Sequence, residues 1–400
     1  MASDTMMKKT KHIENKDRIS DLPDSVLLHI LSFLKTTPYT VQTCILSKRW
    51  KNLWKKFHVL YLDSEWFDTL EVFTQFISQL LSRHDQGMAL HAFKLYMSGQ
   101  HIIEPDLFES ILKYVVSYNV KHLRVWLKCD IQHFPSSLLS CHTLTSLYFH
   151  VTPSHYNKQK ILFSNSLNLP SLSNLDIGAV AFLGGTEPFS ACPKLIRLRI
   201  SNFSILGEQN LLISSTTLVK LTIQLYCKSE NDNTIELSTP SLRIFAFIGI
   251  PNKILYGIHL SSVEHVEIDA YTWNRPKAPS ILLSWLLKLA NIKILTVSSN
   301  TLQVLSLVPD LLKVKLHSLC NLKRLNIKKK RLEYGLYKAL VRSKLAQVPA
   351  TSQKEVAKLR EAYKQRSTFI PKGTVRFLYQ NTASVEVYGY SERKRIVRLK

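Results

Sequence analysis

Between residues 172 and 223 one hexapeptide pattern returns three times, as LSNLDI at 172–177, LIRLRI at 195–200 and LVKLTI at 218–223. Each copy places apolar residues at i, i+3 and i+5, with mostly polar or basic residues between them. The last two apolar positions are two residues apart, so they share one face of an extended strand while their neighbours face the other way. The frame continues in both directions. Upstream it reads Leu90, Phe93, Leu95; Val120, Leu123, Val125; and Leu144, Leu147, Phe149. Downstream it reads Leu242, Phe245, Phe247; Val263, Val266, Ile268; Ile292, Leu295, Val297; and Leu322, Leu325, Ile327. Successive starts lie 21 to 30 residues apart. An all-β sandwich is the competing reading, but its strands usually recur every 8–12 residues or so. The wider period favours a solenoid, in which each unit stacks on the next.

This period falls mostly in the leucine-rich-repeat range of roughly 20–29 residues. Pro170, Pro193 and Pro240 punctuate the approach to three of the frames. The leucine-rich consensus has Asn or Cys at the ninth position, and only Asn300 fits; Val180, Phe203, Tyr226, Ile250 and Tyr271 stand there in other units. Irregular, aromatic-packed repeats with poorly helical convex sides are therefore expected. Phe57, Leu60 and Leu62 repeat the spacing just ahead of the series, which predicts an opening strand.

Ahead of the repeats runs DRISDLPDSVLLHILSFLKTTPYTVQTCILSKRWKNLWKKF, residues 17–57. Val26, Leu27, Ile30, Leu31 and Leu34 recur with helical period. Asp21 is a suitable N-cap, Pro23 suits the first turn, and Asp24 suits the positive end of the helix dipole. Thr36, Thr37 and Pro38 break this helix. A second through Val41, Cys44 and Ile45 and a third through Trp50, Leu53 and Trp54 complete a unit of about forty residues, too small to bury much surface alone. Periodicity leaves open whether the unit merely caps the following domain or offers an unmet apolar face to a partner.

The order Ile19, Leu22, Pro23, then Ile30, Leu31, Leu34, then Leu46, Ser47, Lys48, Arg49, Trp50, Leu53 and Trp54 resembles the F-box motif. More narrowly, DRISDLPDSVLLHILSFL followed by CILSKRWKNLW is similar to plant F-box proteins that carry leucine-rich repeats. The expected fold is mixed α/β, with a three-helix F-box at 17–56 and an irregular leucine-rich-repeat solenoid with a parallel concave sheet at 57–331. A leader at 1–16 is expected to be disordered, and a basic helical segment with a capping strand is expected at 332–400. That last segment carries apolar spacing at Val375, Phe377 and Leu378 and an alternating run at Val385, Val387 and Tyr388. Its Ile-Pro-Lys-Gly block also resembles the C-terminal block of the same plant proteins.

The chain has 400 residues, 45% of them hydrophobic, enough for a large core and too apolar for a disordered chain. Lys plus Arg number 53 against 29 Asp plus Glu, a net charge of +24 that attracts polyanions or acidic proteins. From Leu322 to Lys400 there are 21 Lys/Arg and 5 Asp/Glu, densest in KKKR at Lys328 to Arg331 and RKR at Arg393 to Arg395. Nuclear import or phosphate contact is the functional reading of these runs, and a solvated face is the plainer one, favoured because no aromatic stacking platform accompanies them. No cysteine pair has CxxC spacing among Cys44, Cys129, Cys141, Cys192, Cys227 and Cys320, which suits a reducing compartment. The most apolar run, Ile281 to Leu289, is short and holds Lys288, so no membrane span is expected. A place in the nucleus, the cytoplasm or both follows.

There is no HExxH, GxSxG, Walker-type GxxxxGK or strand-linked GxGxxG, and Gly184-Gly185 is an isolated pair. His84 with His91, Cys129 with His133 and Cys141 with His142 read as ordinary solenoid residues rather than ligands. No metal, cofactor or catalytic residue is expected.

The resemblance implies a non-catalytic adaptor of a Skp–cullin–F-box ubiquitin ligase. The F-box binds the Skp adaptor, and through it the cullin, while the repeats select the protein to be ubiquitinated. Carried onto this sequence, Leu22, Pro23, Leu31, Leu34, Leu46, Ser47, Arg49 and Trp50 face the Skp adaptor or frame that face, with some packing the helical core instead. Arg197, Arg199, Lys220, His265 and Lys293, between the frame residues, are candidates for target binding, with Ser173, Asn174, Thr222 and Glu264 beside them. Their basic majority hints at an acidic target. The alternative is a basic repeat scaffold that binds RNA or an acidic protein outside ubiquitin transfer, with nucleic acid the weaker partner.

Overall fold

The computed structural model describes residues 19–331, except Ser20, Lys35, 84–89, Ser140, 156–159, 164–165, 227–233, 252–254, 258–261, 273–276 and Ala290, and then 338, 357, 370, 373–382, 385–391 and 396–398. The leader at 1–16, most of the charged stretch from Leu332 and the Arg393 to Arg395 run lie outside the described residues.

The helical unit consists of α1 (Asp24–Ser32), α2 (Thr37–Gln42), a 3-10 turn Thr43–Ile45, and the single-turn α3 (Trp50–Leu53) running into a second 3-10 turn, Trp54–Lys56. Pro23, not Asp21, holds the N-cap of α1, and its carbonyl accepts from the N–H groups of Val26 and Leu27. Proline has no side-chain acceptor to offer there, so Asp24 in the first turn supplies the charge that favours this helix end. Pro38 opens α2, where its missing N–H costs nothing. Leu27, Leu31, Trp50 and Leu53 form the core of the unit, with Leu22, Leu28, Leu34 and Phe57 leaning on it.

Trp54 belongs instead to the core of the repeats, and Val41 and Cys44 pack against that core too. The backbone N–H of Tyr61 donates to Thr37 Oγ1 at 2.7 Å, so α2 is also tied to the first strand by a hydrogen bond. The junction is a packed joint rather than a linker.

The expected opening strand is β1 (Val59–Asp63), followed by β2 (Ala92–Tyr96), β3 (His122–Lys128), β4 (Ser146–Thr152), β5 (Ile161–Leu162), β6 (Asn174–Gly178), β7 (Val180–Leu183), β8 (Arg197–Ser201), β9 (Ser204–Leu206) and β10 (Leu211–Ser214). Then come β11 (Lys220–Leu225), β12 (Ile235–Ser238), β13 (Ile244–Gly249), β14 (Leu255–Gly257), β15 (His265–Ala270), β16 (Ile294–Ser298), β17 (Arg324–Lys329), β18 (Glu386–Ser391) and β19 (Ile396–Arg398). Thirteen of these make one sheet in the order β1-β2-β3-β4-β6-β8-β11-β13-β15-β16-β17-β18-β19. Its strands run parallel except for the final pair, β18 with β19.

The repeated frame sets this register. Leu60, Phe93, Leu123, Leu147, Leu175, Leu198, Leu221, Phe245, Val266, Leu295 and Leu325 align strand to strand, and the residues two further on form a second buried row. The first frame position, from Leu90 to Leu322, is buried in every repeat and closes the core from below. Each such side chain is worth roughly 1.5–3 kcal/mol of burial.

The second layer is not uniform. At the start it is helical, with α4 (Leu70–Arg83), α5 (Pro105–Ser117) and the one-turn α6 (Ser136–Leu139), and towards the end it has α7 (Ala278–Lys288) and α8 (Ser299–Leu305). Only the middle shows the expected poverty of helix, where β5-β7-β9 and β10-β12-β14 form two three-stranded parallel sheets. A ladder of phenylalanines runs along the first of them: Phe134 meets Phe149 and Phe163, and Phe182 of β7 meets Phe163 and Phe203, with ring centroids 4.9–5.8 Å apart. Gly249 closes β13 at φ 123°, where a Cβ would lie 2.0 Å from the Leu225 carbonyl oxygen, so the neighbouring backbone demands glycine.

Asn300 is buried at the head of α8 and donates to the Arg331 carbonyl at 3.3 Å, bridging to the next repeat as its place in the consensus implies. Its neighbour Thr301 makes the tighter link backwards, donating to Ile268 O at 2.8 Å and accepting from Ala270 N at 2.9 Å. At the far end, a helix over Thr374–Tyr379 buries Phe377 and Leu378, and β18 pairs with β17.

Candidate functional site

Two faces stand out. The first lies on the helical unit. Leu27, Leu31 and Leu34 point α1 at its core, but Val26, Ile30 and Phe33 repeat the same i, i+4, i+7 spacing one residue earlier and stay exposed. Phe33 is 71% exposed, and beyond α2 Ile45 and Leu46 reach 88% and 60%. Of sixteen large apolar side chains exposed among the described residues, seven fall between Ile19 and Leu46. Isolated exposed apolar residues need no explanation, but a concentration of this kind marks an interaction surface.

The structure sorts the predicted adaptor residues. Leu31 and Trp50 are 0% and 3% exposed, so they pack the helical core beneath the face. Leu22 and Leu34 are half-buried against the same core, and Ser47 is half-buried in the turn before α3. Pro23 and Leu46 are exposed. Arg49 is spent on Asp24, with Nη2 2.8 Å from Oδ1, while Lys56 Nζ lies 3.2 Å from the other oxygen. The hydrogen bond from Arg49, then that from Lys56, holds the Asp24 carboxyl below the usual carboxylate range. This clamp ties the start of α1 to both ends of α3. Sequence reasoning missed Val26, Ile30, Phe33 and Ile45 as surface residues, although five apolar positions within three turns already exceed what one helix face can bury.

The second face is the open side of the main sheet. Parallel register lines its outward residues into rows, one of which reads Tyr61, Lys94, Arg124, Tyr148, Asp176, Arg199, Thr222, Ala246, Glu267, Thr296, Asn326 and Tyr388. In the first half, aromatic and basic side chains interleave. The Arg124 guanidinium lies 4.8 Å from the Tyr148 ring centre and donates to Tyr96 Oη at 3.2 Å. Tyr96 in turn meets Tyr61 and Trp126 edge-on, and Lys94 lies over Tyr61. Tyr148 stacks on His150, whose Nε2 is 2.7 Å from Asp176 Oδ1. Burial raises the Tyr148 phenol above its usual pKa, which keeps it a hydrogen-bonding neutral group.

A hollow of about 400 Å³ opens here, walled by Arg124, Tyr148, Asp176, Arg197, Arg199 and Lys220 and floored by Ala246. The structure thus brings together three of the predicted target-binding residues. Arg197 donates to Asn174 Oδ1 at 3.1 Å, and Arg199 Nη1 lies 3.8 Å from Asp176. The other two stand apart. His265 is half-buried beyond the hollow, with burial lowering its imidazole pKa, and Lys293 is paired with Glu264 at 2.7 Å. Sequence reasoning missed Arg124 and Tyr148, which occupy the same between-frame positions in earlier repeats, and Tyr96 and Trp126, which stand one residue past the frame on the same outward face.

Among the described residues no group of three His, Cys, Asp or Glu is arranged to hold a metal ion, and no helix is long and apolar enough to cross a membrane.

The F-box domain family matches residues 19–62. An F-box/FBD/LRR-repeat protein of Arabidopsis thaliana is 28% identical over 310 residues, covering 75% of this chain and 64% of its own length. An FBD-associated F-box protein of the same plant is 28% identical over 304 residues, covering 73% of each. F-box/LRR-repeat protein 13, also from Arabidopsis thaliana, is 26% identical over 330 residues, covering 74% of this chain and 69% of its own length. The chain thus spans just under two thirds of the first of these relatives. With an F-box domain at residues 19–62 and a parallel repeat sheet behind it, the chain is an F-box-bearing repeat protein similar to plant F-box/leucine-rich-repeat proteins over about three quarters of its length.

Proposed function

We propose that this protein is the non-catalytic, target-selecting adaptor of a Skp–cullin–F-box ubiquitin ligase, working in the nucleus, the cytoplasm or both. The observation that carries this reading is the concentration of exposed apolar side chains on a helical unit packed onto the repeats. A Skp adaptor covers Val26, Ile30, Phe33, Ile45 and Leu46, and the open face of the sheet holds the target. The chain's contribution to rate is positional. Held near a ubiquitin-charged conjugating enzyme, the target's lysine reacts as if in an intramolecular step. That role requires a stiff connection, which Trp54 and the Thr37–Tyr61 hydrogen bond supply.

The rival reading, a basic scaffold for RNA, has less support. Lys328 and Lys330, from the densest described basic run, are paired with Glu267 and Asp269. The test is a pull-down of the full chain by a plant Skp adaptor at two salt concentrations, beside an Ile45→Asp, Leu46→Asp double variant. Salt-resistant capture by the parent, lost in a variant that melts at the same temperature, is expected of an apolar contact. Unchanged capture by the double variant overturns the assignment. Capture that collapses with salt in both proteins points to the scaffold reading.

A further inference from the structure

The cations on the open face of the sheet are not equivalent. Towards its C-terminal end four described cations have an acidic partner: Lys328 with Glu267, Lys330 with Asp269, Lys293 with Glu264, and Arg324 Nη2 3.8 Å from Glu386. Around the hollow the balance is different. Among the residues lining it, four cations, Arg124, Arg197, Arg199 and Lys220, face two acids, Asp176 and Glu267. Asp176 is held by His150 at 2.7 Å with Arg199 Nη1 3.8 Å from its other oxygen, and Glu267 is held by Lys328. Arg124 is held by aromatic rings rather than by a carboxylate. The Nε of Arg199 is sealed from solvent and meets no acceptor among the described residues. Two residues along β3 from Arg124 stands Trp126, 51% exposed on the same face.

We propose that this hollow anchors the target and that its ligand is an acidic peptide segment carrying an aromatic or large apolar side chain. Carboxylates of the segment meet Arg124, Arg199 and Lys220, and its apolar side chain lies on the shelf of Tyr96 and Trp126. This deepens the adaptor reading and rests on it only for the biological role. Three observations favour a peptide. The hollow, about 400 Å³, has the size of a pocket for a few side chains. Exposed Trp, Tyr and Arg together form the usual composition of a protein-binding hot spot. Asp176 and Glu267 interrupt the positive field, which suits separate carboxylates better than an unbroken run of phosphates.

The probe is a labelled synthetic peptide repeating Glu-Glu-Tyr, with a Gln-Gln-Tyr peptide and labelled oligouridine as comparators, titrated against the full chain by fluorescence anisotropy. The acidic peptide is expected to bind at least about tenfold more tightly than its neutral counterpart. Arg199→Glu and, independently, Arg124→Gln should weaken it by about tenfold or more, since the first places like charges face to face and the second removes a cation from the pocket. Arg324→Gln, in the paired half, should leave it within about twofold. Equal binding of the neutral peptide overturns the proposal. So does undiminished binding by both hollow variants, or tighter binding of oligouridine than of the acidic peptide. The Skp pull-down separates the two claims: peptide selectivity without Skp capture sinks the adaptor role and keeps the hollow, and capture without selectivity does the reverse.

Discussion

The helical unit and the repeat sheet bury apolar residues in opposite ways. Four buried residues, Leu27, Leu31, Trp50 and Leu53, hold the unit together, while seven large apolar side chains on its surface stay in water. In the sheet every frame residue stacks on its counterparts in neighbouring repeats, and the outward rows are mostly polar, basic or aromatic. A one-dimensional stack satisfies its apolar demand within the chain, so specificity on its open face rests on charge and rings. A forty-residue bundle leaves part of that demand unmet, so it is suited to an apolar partner.

The difference can be pushed hardest in the cores. Phe149→Ala removes a ring packed between Phe108 and Phe134 and should cost about 3–5 kcal/mol, lowering the main thermal transition. Leu31→Ala should cost about 2–4 kcal/mol, with faster amide exchange confined to the helical unit. If Leu31→Ala speeds exchange equally in β2 to β8, the two regions unfold as one and the contrast fails. A smaller effect sharpens the picture within the sheet. Thr301→Val strips partners from the buried Ile268 carbonyl and Ala270 N–H, for an expected loss of about 1–3 kcal/mol by denaturant unfolding. The smallest concerns the Asp24 clamp. Its folded pKa is depressed, so its contribution is present above the unfolded value of about 3.9 and is lost as pH falls through the lower folded value. Acid should therefore loosen α1, and Asp24→Asn should abolish this step in a pH series of exchange rates. Acid loosening that persists in Asp24→Asn would place the sensitivity elsewhere.

Much of this was legible in the sequence because it is periodic. The i, i+3, i+5 frame named the strands, their inward residues and the stacking direction, and the two F-box blocks named the helical unit. What stayed hidden is non-local. Lys328 and Glu267 are 61 residues apart in the chain but one strand removed in the sheet, so a run that reads as free charge is partly neutralised. Tyr96, Arg124 and Trp126 carry no signal singly and become a shelf only when register sets them side by side. The two small sheets beneath the middle repeats were invisible for a related reason, since strands of two to four residues are too short to show a period.

Within the helical unit, both apolar stripes of α1 satisfy the same helical period, so the pattern says that a face is apolar and not which stripe the neighbours cover. Trp50 and the turn at Ile45 and Leu46 are equally apolar, and only the packing of α3 buries one and exposes the others. By itself the sequence determined the repeat, the register and the presence of an apolar helical unit, because each follows from spacing along one chain. Only the tertiary structure decided which apolar and charged side chains remain available, because availability depends on what distant strands and helices have already covered.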